Sequence, residues 1–363
     1  MSGPIPFMRL APGEDAPAME EAFGRVLRRG WFVLGPELEA FESEFAALTG
    51  TPRAVGVGTG TDAIALILRG LGIGAGDEVI TTPLSAAYTA LAVMMAGARP
   101  VFADIDPDRL TLDPGAVEAI VSPRTRALLP VHLYGQPADL PALVAIAERH
   151  HLALVEDCCQ AHLATCGGTP VGTFGQAAAY SFYPTKNLGA LGDGGAITTG
   201  DADLADRLKR LRNGGQTDRY HHVEFGVNSR LDELQAAFLR ARLPLLGRWT
   251  EARRRIAAQY RARLRNDGIT VPPERDPGHV YHLFPIRCAA RARLQAHLSA
   301  AGVGTLIHYP VPIPRQPAFA GERPAACPVA DRVSAEVLSL PLYPALPGRE
   351  LDAIIEAVSA FAG

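Results

Sequence analysis

Residues 127–157 read ALLPVHLYGQPADLPALVAIAERHHLALVED, and this stretch decides the fold. Ala127–Val131 is a short apolar run, Leu140–His150 carries apolar positions at helical spacing, and Ala153–Glu156 is apolar again before Asp157. Two such runs around one helix predict a strand–helix–strand unit. Strands that are apolar throughout, rather than alternating, belong to a parallel sheet covered on both faces.

The alternation extends outward in both directions. Upstream lie predicted strands at Ala54–Val57, Glu78–Thr82 and Pro100–Asp104, with helices at Thr61–Leu71, Ala86–Ala96 and near Pro114–Ile120. Two helices, Ala18–Arg29 and Glu37–Thr49, precede them. Downstream, Ala177–Phe182 and Gly195–Thr198 are strands, and Ala202–Leu211 and Leu231–Leu243 are helices. The pattern changes after Pro244. An Arg-rich helix, Trp249–Asn266, leads to a strand at Val280–Arg287, a helix at Arg291–Ala301 and a strand at Thr305–Tyr309. A Pro-rich loop runs through Pro317, and helices near Ala330–Leu338 and Glu350–Ala360 follow. The expected architecture is α/β: a large domain over 1–245 with a mostly parallel mixed sheet, and a smaller C-terminal α/β domain over 246–363.

The formal net charge is −3, without a long basic or acidic block, so nucleic acid is not an expected partner. No apolar run approaches membrane-spanning length, and the opening MSGPIPFMRLAPGEDAP lacks the basic-then-apolar order of a signal peptide. The cysteines are Cys158, Cys159, Cys166, Cys288 and Cys327, an odd number without metal-type spacing. They are expected to be reduced and buried as small apolar residues in a cytoplasmic protein.

Lys and Arg total 35, yet lysine occurs only at Lys186 and Lys209. Arginine keeps its proton near neutral pH and lysine can lose it, so a lysine retained in such a chain is a candidate for amine chemistry. Lys186 sits in Ser181-Phe182-Tyr183-Pro184-Thr185-Lys186-Asn187-Leu188-Gly189, a strand running into a glycine-dense turn where backbone can approach a ligand. The competing reading is an exposed lysine in a loop. A second segment, Val155-Glu156-Asp157-Cys158-Cys159-Gln160-Ala161-His162, ends a strand in acids where an α/β sheet gathers its functional groups. Alone, Asp157 reads equally well as a loop cap. A third, Gly58-Thr59-Gly60-Thr61-Asp62, opens a helix, whose free N–H groups and dipole attract an anion. Thr61 or Asp62 as a plain helix cap is the alternative.

A reactive amine, an acid for a ring nitrogen and a phosphate cradle are together what pyridoxal 5'-phosphate (PLP) needs. With these segments, together with Gly76–Ile80, Gly97–Asp106, Pro130–Gly135, Gly226–Ala237 and Ile307–Pro312, the chain resembles the DegT-type sugar aminotransferase family, PLP enzymes of the aspartate-aminotransferase fold. The resemblance implies that Lys186 bonds covalently to the cofactor aldehyde and Asp157 pairs with the pyridine nitrogen. It places Gln160 near the ring hydroxyl and Gly60, Thr61, Asp62 and Ser181 around the phosphate. It brings Asn228 to the phosphate from a partner subunit, which implies a homodimer with shared active sites. Arg230, Tyr220, His308 and Tyr309 are the candidates for the sugar and amino-donor pocket.

One departure stands out. The family's aromatic over the PLP ring aligns with Ala86, and the nearest aromatic is Tyr88. Tyr88 is therefore either the stacking residue or a packed helix tyrosine. His132 and His162 are expected to be core histidines with satisfied hydrogen bonds, and Arg253–Arg255 a solvated helix face. The implied reaction moves an amino group from L-glutamate to a nucleotide-linked keto-hexose. The segment Gly214–His222, read as a substrate loop, resembles the branch acting on dTDP-3-keto-6-deoxyhexoses. A 4-keto-sugar or a keto-inositol is the alternative. Two rivals are a PLP-dependent sugar dehydratase, in which histidine replaces the lysine, and a non-catalytic regulatory relative. Lys186, and its company with Asp157 and Gln160, argue against them.

Overall fold

The computed structural model describes residues 3–11, 13–319 and 326–362, so the opening segment read above lies partly outside the described residues. Its centre is a seven-stranded sheet in the order β1-β9-β8-β5-β4-β2-β3. The strands are β1 (Arg53–Val57), β2 (Glu78–Thr81), β3 (Arg99–Phe102), β4 (Thr125–Leu129), β5 (Ala153–Asp157), β8 (Ala177–Ser181) and β9 (Gly195–Thr199). Neighbours from β3 through β8 pair in parallel, and β9 alone runs antiparallel, between β8 and β1. The expected mostly parallel mixed sheet is what forms.

Side chains of successive strand residues point to opposite faces, so each strand feeds two cores. Leu128, Leu154, Ala178 and Tyr180 enter one core, with Phe41 and Phe45 of α2 (Pro36–Thr49) and Leu143 and Ile146 of α6 (Leu140–His150). Ala127, Leu129, Val155, Ala179 and Ile197 enter the other, under α3 (Gly60–Gly70), α4 (Tyr88–Met95) and α7 (Ala202–Leu211). α1 (Ala16–Arg29) packs on the long helix described next, and α5 (Pro114–Glu118) is a single short turn. Two small hairpins, β6–β7 (Thr165–Cys166, Thr169–Pro170) and β10–β11 (Gln216–Asp218, His221–His222), are absent from the sequence reading because pairs of two or three residues carry no periodicity.

The sequence reading of two helices separated at Pro244 is corrected: α8 runs without interruption from Glu233 to Arg263. An interior proline forfeits one helical hydrogen bond and costs about 3 kcal/mol in an isolated helix. Here the helix is anchored along its length, by Ala237 and Phe238 against α1 and by Arg240 and Arg242 to acids of the N-terminal elements. Arg253 corrects a second expectation. It is buried, and its Nη1 donates to the carbonyls of Tyr281, His282 and Leu342 at 3.3, 3.3 and 3.1 Å.

Beyond α8, β12 (Phe284–Arg287) pairs antiparallel with β13 (Val337–Leu340), and α9 (Arg291–Ala300) and α11 (Gly348–Ser359) complete a third core, while Ala330 and Val333 of α10 (Pro328–Glu336) pack in a fourth with Phe102, Val131 and Leu133. The helix expected near Ala330–Leu338 therefore ends early and turns into strand. The strand expected at Thr305–Tyr309 is reduced to one bridge, Leu306 to Ser339. The N-terminal segment also joins this end of the molecule. Ile5 exchanges backbone hydrogen bonds with Gly302 and Gly304 at 2.8 and 2.9 Å and is buried in the third core.

Candidate active site

The C-terminal ends of β1, β4, β5 and β8 deliver their side chains to one cleft of about 850 Å³. Thr59, Gly60, Thr61, Thr89, Asp157, Cys159, Gln160, Ser181, Lys186, His282, His308 and Tyr309 are among its walls, with Tyr88 at the rim. Three segments that the sequence singled out separately thus meet in space.

Asp157 is the last residue of β5. Its backbone is clamped to the end of β4, with its N–H on Pro130 O at 2.9 Å and its carbonyl accepting from His132 N at 3.1 Å. The carboxylate is 3% exposed. Its Oδ2 accepts from the Thr89 hydroxyl at 2.8 Å and its Oδ1 from the Cys159 amide at 3.1 Å. Among the described residues no arginine pairs with it, so it remains available to a cationic N–H in the cleft.

Lys186 lies in the turn after β8, its amide bonded to Tyr183 O at 2.8 Å. The residue keeps some surface on the cleft, while protein surrounds its amine. Burial lowers its proton affinity, and the nearby Cys159 and Asp157 partly oppose that. A lysine biased towards its neutral form is a nucleophile and proton carrier near neutral pH.

Thr59, not Thr61 or Asp62, caps α3: its Oγ1 accepts from the Asp62 amide at 3.0 Å. Gly60 and Thr61 precede the first helical hydrogen bonds and line the cleft with Ser181. Packing requires glycine here. A Cβ on Gly60 would lie 2.8 Å from both Cys159 Sγ and Ser181 Cβ, and one on Gly195 would lie 2.4 Å from the Thr59 carbonyl group. The Asp62 carboxylate is not a wall of this cleft. It accepts from Ser229 Oγ at 2.7 Å, and that oxygen accepts from Gly58 N at 2.9 Å, which ties the turn to residues 226–233.

Gln160 is oriented by two bonds. Its Oε1 accepts from Tyr134 N at 2.7 Å and its Nε2 donates to the Tyr309 hydroxyl at 3.1 Å. Burial pushes the Tyr309 phenol up to about 12, so it stays neutral. His308, joined to Tyr309 by a cis peptide bond, has its Nδ1 3.0 Å from Ser339 Oγ, and burial lowers its pKa to about 4. Tyr88 is 65% exposed, so it is not a packed helix tyrosine.

Tyr220, Asn228 and Arg230 do not line the cleft of their own chain. Tyr220 stands out on the β10–β11 hairpin at 75% exposure, Asn228 is exposed, and Arg230 donates to Asn213 Oδ1 at 3.1 Å. Among the histidines, His132 meets its expectation: Nδ1 accepts from Ala138 N at 3.1 Å, so Nε2 carries the hydrogen towards Glu156 Oε2 at 3.1 Å. Those commitments also occupy two members of the His132, Glu156 and Cys158 cluster, since Glu156 further accepts from Gly172, Phe174 and Gly175 amides. His162 differs. It packs against Tyr180 and Phe182, its ring nitrogens have no hydrogen-bond partner among the described residues, and burial pushes it to about 3. Cys159 departs from the buried-thiol expectation by lining the cleft. Thr59, Thr89, Cys159 and His282 are the site residues that sequence reasoning missed. Thr89 and His282 lie in no charge or spacing pattern, and Thr59 and Cys159 lie inside the segments singled out above without a signal of their own.

The sheet, the amine and the buried acid are those of an aminotransferase. Residues 14–359 match the model of the DegT/DnrJ/EryC1/StrS aminotransferase family. The chain belongs to that family. It is 50% identical to the dTDP-3-amino-3,4,6-trideoxy-alpha-D-glucose transaminase of Streptomyces venezuelae, over 99% of this chain and 96% of that one. The crystal structure of S. venezuelae DesV in complex with ketimine intermediate superposes with a TM-score of 0.95 at 49% identity, covering 99% and 98% of the two chains. That of NtdA from Bacillus subtilis with bound cofactor PMP gives 0.93 at 31% identity, covering 99% and 85%.

Proposed function

We propose that the protein is a PLP-dependent aminotransferase that moves an amino group from L-glutamate to a nucleotide-linked keto-hexose, most specifically a dTDP-3-keto-6-deoxyhexose. The observation that carries this reading is the convergence of Lys186, its proton affinity lowered by burial, with the arginine-free Asp157 carboxylate in one cleft. The substrate class rests on the S. venezuelae relative, which covers nearly all of both chains.

The residues present fit the cofactor. The carboxylate of Asp157 suits a protonated ring nitrogen, the Gly60–Thr61 end of α3 with Ser181 suits a phosphate, and Gln160 suits the ring hydroxyl. When bound, the cofactor supplies an aldehyde that takes up an amine and a ring that accepts electrons. Lys186 would hold the cofactor through Nζ, and its amine would carry a proton to or from the substrate carbon in each half of the reaction. Asp157, oriented by the Thr89 hydroxyl, would hold a proton on the ring nitrogen. His308, Tyr309 and Tyr88 bound the space left for substrate.

Asn228, Tyr220 and Arg230 lie off the chain's own cleft, which accords with a homodimer in which they serve the partner's site. We further propose that the chain divides near residue 245 into a large and a small domain, joined by α8. Lys186 and Asp157 favour the aminotransferase over a dehydratase or a regulatory relative.

The test is to supply purified holoenzyme with L-glutamate and dTDP-3-keto-6-deoxyglucose, with the 4-keto isomer in parallel. Amino-sugar formation from the 3-keto compound, measured by mass spectrometry, is the expected result. Product from the 4-keto isomer alone reassigns the carbon, and no product from either sinks the reading.

A further inference from the structure

His282 is 4% exposed and lines the cleft, yet nothing in the roles above uses it. Its setting fixes where its hydrogen lies. Asn187, the residue after Lys186, donates from Nδ2 to Val280 O at 3.2 Å, which leaves its Oδ1 as the acceptor facing His282 Nδ1 at 3.3 Å. Nδ1 therefore carries the hydrogen and Nε2 the lone pair. Nε2 has no partner among the described residues, and the residue lines the cleft. The backbone on either side is held: Arg253 donates to the carbonyls of Tyr281 and His282.

Burial, with positive charge from Lys186 and Arg253, pushes the imidazole's proton affinity down, so the ring stays neutral. A fixed, neutral acceptor disfavours the carboxylates of an amino donor and the phosphates of a nucleotide. It takes a donor, and the donors on a sugar ring are hydroxyls. A buried acceptor left unpaired is costly, so such a group favours ligands that supply the donor.

We propose that His282 is a specificity-determining residue whose Nε2 accepts a hydrogen bond from a hydroxyl of the sugar substrate. This rests on the sugar-nucleotide reading above. The role is separate from the chemistry at Lys186 and from nucleotide binding.

The experiment compares the parent holoenzyme with His282→Leu and His282→Gln, using dTDP-glucose and dTDP as calorimetric probes. Leucine removes the acceptor and glutamine retains one. His282→Leu weakens dTDP-glucose binding about tenfold, the size of one hydrogen bond, leaves dTDP unchanged, and glutamine restores most of the loss. Unchanged dTDP-glucose affinity, an equal loss for dTDP, or no recovery with glutamine each overturns the proposal. Should leucine not be tolerated, His282→Met is compared with His282→Gln in the same way. A parent enzyme that binds neither probe overturns the substrate class and this inference with it. One that binds both, without regard to residue 282, overturns the inference alone.

Discussion

Thr89 donates its hydroxyl hydrogen to Asp157 Oδ2 at 2.8 Å, joining α4 to the end of β5 across 68 residues of sequence. The bond fixes the orientation of a buried carboxylate whose other oxygen accepts from the Cys159 amide. Replacing Thr89 by valine keeps the shape and removes the donor. Turnover is expected to fall about 10- to 100-fold, with Thr89→Ser near the parent value, because one hydrogen bond to a charged group contributes about 1.5–3 kcal/mol. Steady-state kinetics at saturating glutamate check it.

Lys186→Ala is expected to lower turnover by at least about 10³-fold, the scale of losing a positioned proton carrier. Stability moves the other way. The lowered proton affinity means the folded chain binds this proton less well than the unfolded chain, and so stability rises with pH between the lowered value and the ordinary 10.5. At neutral pH the buried amine is therefore a cost, because folding disfavours the proton that the unfolded chain holds. Lys186→Met is predicted to raise the thermal midpoint of cofactor-free protein at pH 7. A lowered midpoint would contradict the direction assigned here.

His162 sets part of the acid limit of the fold. Its pKa of about 3 lies below the ordinary 6.5, so between these values the unfolded chain binds more protons. The stability from keeping the ring neutral is complete above about 6.5 and is lost as pH falls towards 3. His162→Phe preserves the ring packing against Tyr180 and Phe182 and removes the titration. The number of protons taken up on unfolding at pH 5 should drop by about one, measured from the pH dependence of the unfolding free energy.

Gly195 starts β9 against the backbone of Thr59. An alanine there must push the α3 cap away, and overpacking of this kind costs about 1–3 kcal/mol. Gly195→Ala is expected to lose that stability and to weaken PLP binding, because Gly60 and Thr61 move with the cap. Titration of cofactor absorbance separates the two effects.

Sharing of the sites is testable by mixing. If Asn228 serves the partner's cleft, Lys186→Ala and Asn228→Ala chains, each inactive alone, form a mixed dimer with one intact site. Random mixing should restore about a quarter of parental activity. No recovery on mixing would place Asn228 in its own chain's function or in none.

The local chain settled a good deal. Strand–helix alternation from Ala54 to Thr198 gave the parallel sheet, since a doubly covered strand must be apolar throughout. Lysine scarcity and the acid at the end of β5 marked Lys186 and Asp157, because both lie where such a sheet presents side chains. Other features were decided only by contacts distant in sequence. Pro244 stays inside α8 because packing outweighs its local cost, and Arg253 is buried because three carbonyls far along the chain converge on it. Thr89, Thr59 and His282 look ordinary in sequence and acquire their roles from what folding places beside them. Periodicity reports which face a residue shows to the core, which each segment carries within itself. A hydrogen-bond partner many residues away is a property of the tertiary structure alone.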